Sequence, residues 1–334
     1  MKRASSQTLI TGCYRSGTEY ITQLLGNQPD LTTTMYVTNF MRYYWGKYDP
    51  ITDTENYTDL IFDASQTTRQ RWGREVDPHR VLDELEELDE VDYASVYDLI
   101  MSDLVITEEI DHWAEKIQLV WRSIPEFVDG FENGRAILIV RDPRSVLASF
   151  KNYTYEPEPA YLGAVFNMLD VFQKAEQYSR TLAEDRFHLM RYEDVIYNPE
   201  ETLIEAFDFL GLSSDHDLLS QNGWTDTGGD PWGSNSAFDG DFDPDKAVNR
   251  WKNRLESWEV AICEWVVGGR MAEFGYEPAG YAPPAETDID VLRDDPELSQ
   301  YLEQWQEHGT GVESFPSDPT DPDNWEENAE GGQR

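Results

Sequence analysis

The stretch Leu9-Ile10-Thr11-Gly12-Cys13-Tyr14-Arg15-Ser16-Gly17-Thr18-Glu19-Tyr20-Ile21-Thr22-Gln23-Leu24-Leu25 decides how the rest of the chain is read. A short apolar run suits a buried strand. A turn with two glycines and one basic residue follows, and Tyr20, Ile21, Leu24 and Leu25 then share a helical face. A strand that feeds a helix through such a turn leaves several backbone N–H groups directed at one spot, where the helix dipole adds partial positive charge. The stretch therefore predicts a seat for a phosphate-like anion.

Two familiar phosphate loops do not fit it. A triphosphatase loop needs a Gly-Lys-Ser/Thr ending, in which the Lys spans the outer phosphates and the hydroxyl holds magnesium; that Lys is absent. A tyrosine-phosphatase loop needs an Arg six residues after a nucleophilic Cys. Cys13 is followed at that spacing by Glu19, whose charge opposes a thiolate and its phosphate. Cys13 reads as a small buried residue at a strand end.

Charge narrows the partners. The 334 residues include 26 basic and 66 acidic side chains, a net charge of -40, and only 7 of the 26 are Lys. Such a surface repels nucleic acid and anionic membranes. A Lys-poor acidic surface also matches a salt-loaded cytoplasm, where about 1 M salt shortens the screening length to roughly 3 Å; an ordinary acidic protein with an acidic tail is the alternative. Two cysteines without metal-ligand spacing give neither a disulfide framework nor a zinc site. No run approaches the ~20 apolar residues of a membrane span, and the N-terminus lacks the apolar core of a signal peptide. The expectation is a soluble, cytoplasmic protein.

Along the chain, 31–37 reads as a second strand, 38–78 as an inserted loop region, 81–88 and 93–113 as helices, and 117–121 as a short strand. Ala136-Ile137-Leu138-Ile139-Val140 has the continuous apolar character of a central parallel strand. A long amphipathic helix over 161–182, a strand over 187–190, a helix from Pro199 to Leu210 stopped by Gly211, a loop over 222–245 and a helix over 258–274 complete the pattern. Strands alternating with helices predict a single α/β domain over 1–281 with a parallel sheet. From 282 to 334 acidic residues, Pro and Gly dominate; this reads as a largely disordered tail, with room for one short helix over 298–305.

A second turn supplies the other half of a site. Val140-Arg141-Asp142-Pro143-Arg144-Ser145-Val146-Leu147-Ala148-Ser149-Phe150 places an Arg at a strand end and a Ser eight residues later, two turns into a helix. With Arg15-Ser16-Gly17-Thr18, it resembles the paired cofactor segments of sulfotransferases, which use 3′-phosphoadenosine 5′-phosphosulfate (PAPS). Arg191-Tyr192-Glu193-Asp194 with Phe209-Leu210-Gly211-Leu212, and Asn249-Arg250-Trp251-Lys252 before Phe274-Gly275-Tyr276, resemble that family's later segments. The four blocks cover residues 8–276 in the family's order.

The resemblance implies a P-loop-containing, three-layer fold with a central parallel sheet flanked by helices. It implies that Arg15, Ser16, Gly17 and Thr18 hold the phosphosulfate end, with Arg15 at the leaving oxygen. Arg141 and Ser149 would grip the 3′-phosphate, Arg250, Trp251 and Lys252 would close over it, and Tyr20 and Tyr192 would border the adenine. Core packing explains Tyr20 equally well, and an ion pair explains Arg144 equally well. The physics agrees with a two-ended cofactor: two anion sites at neighbouring strand ends lie along one edge of a parallel sheet, where ligands sit. No metal is implied. Glu19 stands where relatives carry a small polar residue, and it is expected to point outward.

Sulfuryl transfer needs an in-line acceptor hydroxyl, a base for its proton and positive charge on the separating oxygen. Trp113-Ala114-Glu115-Lys116 resembles a Trp-x-x-Lys segment of bacterial-type relatives, so Lys116 joins Arg15 at the leaving oxygen. Relatives place a catalytic Glu after the second strand, but no carboxylate stands near Tyr36 here. His112 and Glu115 are the candidate bases. Aromatic residues from Tyr36 to Tyr48 suit the wall of a carbohydrate, glycolipid or other small acceptor site, or ordinary core. The competing reading is a non-catalytic PAPS or nucleotide-binding protein; a nucleotide kinase is disfavoured by the missing Gly-Lys-Ser/Thr.

Overall fold

A computed structural model describes residues 1–152, 158–215, 217–220, 224 and 243–314. Five strands, β1 (Ser6–Gly12), β2 (Leu31–Met35), β3 (His112–Lys116), β4 (Arg135–Val140) and β5 (Phe187–Arg191), form one sheet in the order β2-β3-β1-β4-β5. Every neighbouring pair is parallel. The helices are α1 (Thr18–Leu25), α2 (Phe40–Tyr43), α3 (Thr54–Trp72), α4 (Pro78–Glu86), α5 (Tyr93–Val105), α6 (Ile124–Gly130), α7 (Pro143–Phe150), α8 (Gly163–Thr181), α9 (Tyr192–Tyr197), α10 (Pro199–Leu210), α11 (Pro244–Val248), α12 (Ser257–Met271), α13 (Glu286–Asp294) and α14 (Pro296–His308).

Strand β4 shows how the sequence makes three layers. Side chains alternate across a strand, so Ala136, Leu138 and Val140 join the apolar cluster of α5, α6, α8 and α12 on one face. Ile137 and Ile139 join the cluster of α1, α9 and α10 on the other. Both faces are covered, which is why the strand reads as an unbroken apolar run. Helix starts follow local chemistry: Asp142 caps α7 by accepting the Arg144 N–H, ahead of Pro143 at the first helical position. Gly211 ends α10 in the left-handed conformation, with φ 72°.

The fold is the P-loop-type α/β fold expected, with four departures in its elements. Residues 38–78 are not an open insertion but hold α2 and the 19-residue α3. The helix expected over 93–113 ends at Val105, and the third strand is His112–Lys116, not 117–121. That strand is buried along its whole length while carrying His, Glu and Lys, so it has no apolar signature. The last departure concerns the C-terminal segment. Two helices, α13 and α14, follow residue 282, and Leu292, Leu298, Tyr301 and Leu302 are buried in the main core. Trp305 packs edge-on against Trp265, with ring centroids 4.5 Å apart. Their acidic outward faces gave the segment the texture of a tail. Residues 315–334, also expected to be disordered, and nearly all of the 222–245 loop lie outside the described residues.

Candidate active site

The C-terminal edge of the sheet carries the turns singled out by sequence. Backbone strain gathers there. Four non-glycine residues among those described have positive φ, and Arg15 (64°), Tyr36 (61°) and Leu119 (55°) follow the ends of β1, β2 and β3 respectively. Conformations of this kind cost about 1–3 kcal/mol each and gather at ligand sites. The fourth, Asn39 (49°), lies in the turn leading to α2.

The first turn is a close-fitting cradle. A Cβ on Gly12 would stand 2.6 Å from the Ile139 carbonyl oxygen. A Cβ on Gly17, at φ 90°, would stand 2.3 Å from Cδ2 of Tyr192. The Ser16 hydroxyl donates to the Cys13 carbonyl at 2.6 Å, and Thr18 Oγ1 accepts from Gln118 Nε2 at 3.0 Å. Both side chains are buried, so the loop is held from below.

The second turn is hydrogen-bonded to the first. Arg141 Nη1 donates to the Arg15 carbonyl at 2.9 Å, and Arg15 Nε donates to Ser149 Oγ at 2.9 Å. Arg141 also donates through Nη2 to the Ala247 carbonyl, and its guanidinium lies over the Tyr192 ring, 4.0 Å from the centroid. Sequence reasoning did not single out Arg254. It is largely exposed, and the partial burial of its guanidinium with the charges of Arg141 and Arg15 lowers its pKa, which places it in their field. The signal was its position just beyond the quoted Asn249-Arg250-Trp251-Lys252 block.

Several expected contacts come out as framework. Arg144 is buried, pairs with Asp142 at 2.7 Å and Glu264 at 2.8 Å, and lies over the Trp251 ring. Trp251 is 5% exposed and packs with Ala148 and Val260, so its ring is core. Lys252 is exposed, 5.6 Å from that ring's centroid, and Arg250 is half-buried. Tyr20 and Tyr192 are 6% and 2% exposed; Tyr20 packs edge-on against Trp224 and Tyr192 lies against Gly17. Both rings are built into the wall of the cradle. Glu193 accepts from the Asp142 N–H at 3.0 Å and the Tyr276 hydroxyl at 2.8 Å, tying the late segments to the second turn.

The β3 side separates the candidate bases. His112 pairs in register with Ser6 and Leu31 at the starts of their strands. It therefore lies at the opposite edge of the sheet, four residues and roughly 13 Å along β3 from Lys116. It is buried and hydrogen-bonded to Thr8 Oγ1 at 3.0 Å; burial, then Arg135, lowers its pKa to about 4. Glu115 is fully buried, and its two oxygens accept from the N–H groups of Thr38 (2.7 Å) and Asn39 (3.1 Å), the Thr38 hydroxyl (2.6 Å) and the Tyr97 hydroxyl (2.5 Å). Burial raises its pKa despite these bonds. It staples the turn after β2, and no lone pair is directed at the site.

Lys116 ends β3 at the correct edge. It is fully buried, and its Nζ has no hydrogen-bond partner among the described residues. It lies 3.5 Å above the Tyr36 ring centroid and 3.5 Å from Glu19 Oε1. Burial lowers its pKa to about 7, against the pull of Glu19. Glu19 does not point outward as expected. It turns to Lys116 and lies 3.2 Å from the Tyr36 hydroxyl, whose one proton is shared between Glu19 and the Gln118 amide oxygen. Burial works against its charge, but Lys116 and Arg15 outweigh this and hold the carboxyl below its usual range. The ammonium draws it inward; a residue-by-residue reading could not see Lys116 across the sheet.

A parallel α/β sheet with a glycine-walled strand–loop–helix cradle at its C-terminal edge defines a P-loop-type domain. The chain belongs to the sulfotransferase family, whose model matches residues 8–217. It is 29% identical over 168 residues to carbohydrate sulfotransferase 1 of Mus musculus; the match covers 44% of this chain and 40% of that protein, so the chain spans less than half of that relative. Among solved structures it is similar to the sulfotransferase domain from the curacin biosynthetic pathway, with a TM-score of 0.49, 18% identity, and coverage of 83% of this chain and 99% of that one. It is also similar to a mouse sulfotransferase complexed with PAP, with a TM-score of 0.43, 13% identity, and coverage of 86% and 88%. Among the described residues no helix is long and apolar enough to cross a membrane.

Proposed function

We infer that this chain transfers a sulfuryl group from PAPS to a hydroxyl of a carbohydrate, glycolipid or other small acceptor. The observation that carries this reading is the junction of the two basic turns. Arg141, the Arg15 carbonyl, the Arg15 side chain and Ser149 form one hydrogen-bonded run beside the Gly12–Gly17 cradle. A ligand with an anion at each end, such as PAPS, suits two basic turns joined in this way. Family membership supports the sulfuryl donor, and the mouse relative's name points to carbohydrate acceptors.

On this reading the amides of Gly17 and Thr18 hold the phosphosulfate at the α1 N-terminus, while the Ser16 N–H and hydroxyl brace the loop from below through the Cys13 carbonyl. Arg141, Ser149 and Arg254 hold the 3′-phosphate, with Lys252 and Arg250 at its outer side. Arg15 bears on the oxygen that separates from sulfur, and Lys116, buried behind Glu19, acts on it through its field. Preorganised charge at that oxygen is worth most in a site closed to water, and a buried Lys116 ammonium fits such a role.

The test is direct. PAP should bind without magnesium, and Arg141→Ala should weaken it at least tenfold. Radiolabelled sulfuryl from PAPS should reach a glycan or glycolipid fraction. Binding of PAP with no transfer to any acceptor would favour the non-catalytic alternative, and absence of PAP binding would sink both.

A further inference from the structure

We propose that Glu19 is the proton acceptor for the attacking hydroxyl. The proposal rests on the sulfuryl-transfer reading and adds to it the atom that takes the proton.

Sheet order sets the direction of the reaction. The candidate 3′-phosphate groups, Arg141 and Ser149, stand on β4 and α7, on one side of β1. Lys116 and Tyr36 stand at the ends of β3 and β2, on the other side. A cofactor anchored over β4 and running across the first turn points its reactive end toward β3. Glu19, in the first turn of α1, faces that side.

Its surroundings suit a base. The Glu19 side chain is 39% exposed, so an acceptor can reach it, whereas the Lys116 beside it is sealed. The charged and titratable groups facing it are Lys116 from β3, Arg15 from the loop and Tyr36 from the end of β2. Arg15, and Lys116 in its protonated form, hold the carboxyl below its usual range, so it stays ionised as the anionic donor arrives. Other carboxylates along this edge are placed or occupied differently. Asp142 and Glu193 are buried in framework contacts, and Asp194 pairs with Arg191 at β5, the far side from the turn after β2.

The step balances with these groups. A lone pair of the acceptor oxygen forms the new S–O bond. The bond from sulfur to the bridging oxygen of the 5′-phosphate breaks, and its electron pair stays on that oxygen. The acceptor proton passes to the Glu19 carboxylate. The products are a sulfate ester, PAP and a protonated Glu19, which returns its proton to solvent through its exposed side.

The test compares wild type, Glu19→Gln and Glu19→Asp. Transfer from radiolabelled PAPS to a panel of methyl glycosides is measured together with hydrolysis of PAPS, in which water is the acceptor. Glu19→Gln should keep PAP affinity within threefold and lose at least 100-fold in both reactions, within the range of general-base catalysis. Glu19→Asp should recover part of the loss. Wild-type turnover should fall as pH drops through the lowered carboxyl pKa, and Glu19→Gln should show no such acid limb. Turnover of Glu19→Gln within threefold of wild type would overturn the proposal. So would a parallel loss of PAP affinity and turnover, which would make Glu19 only a counter-ion to Lys116. A wild-type protein that fails to bind PAP would overturn the sulfuryl-transfer reading itself, and the proposal with it.

Discussion

Replacing Lys116 by Met should make the protein more stable and inactive at once. The ammonium is fully buried, has no hydrogen-bond partner among the described residues, and its pKa falls from 10.5 to about 7. A fall of about 3.5 at about 1.4 kcal/mol each disfavours the charged form by roughly 5 kcal/mol. The Tyr36 ring beneath it offsets part of that cost. Met keeps most of the volume and can rest its sulfur on the Tyr36 ring. Glu19, 39% exposed, gains water when its partner leaves. The expected gain is about 1–3 kcal/mol at pH 6, in line with buried ions replaced by apolar groups. The pH dependence has a definite sign. Between about 7 and 10.5 the unfolded chain holds a proton on Lys116 that the native chain has released, so wild-type stability rises with pH across that window. The variant lacks this slope, and its advantage should shrink toward pH 10. Thermal melts at pH 6 and 9 would measure this, with transfer from radiolabelled PAPS expected to fall at least 100-fold. A variant less stable than wild type at pH 6, losing activity in proportion, would show that the ammonium is a structural tie and refute the reasoning.

Two further predictions separate the cradle from the far edge of the sheet. Gly17→Ala puts a Cβ 2.3 Å from the Tyr192 ring at φ 90° and should lower stability by about 2–4 kcal/mol, with PAP affinity at least tenfold weaker by calorimetry; a companion Tyr192→Leu should restore part of the stability. His112, depressed to about 4 from 6.5, contributes stability that is complete above pH 6.5 and lost as pH falls through 4. Urea unfolding of His112→Gln should show that dependence reduced by up to about 3 kcal/mol, with turnover at pH 7.5 unchanged within threefold because the residue lies at the opposite edge.

The sequence by itself determined the elements whose chemistry is local. The apolar run of β4, the Pro199 and Gly211 bounds of α10 and the strand–turn–helix at Gly12 to Leu25 follow from periodicity, caps and glycine, which neighbours along the chain decide. The family was legible for the same reason, since its motifs are turns. Other features depended on partners far away in the chain. Strand β3 carries no strand signal in the sequence because its His, Glu and Lys are buried by Thr8, by the turn after β2 and by Glu19, none of which is adjacent in sequence. Helices α13 and α14 looked like tail because one apolar stripe was diluted by acidic outward faces. The direction of Glu19 was decided only by the sheet, which brings Lys116 across from β3 to the first turn of α1. A charge inside a low-dielectric core is controlled by whichever opposite charge the fold places within a few ångströms, and only the tertiary structure sets that distance.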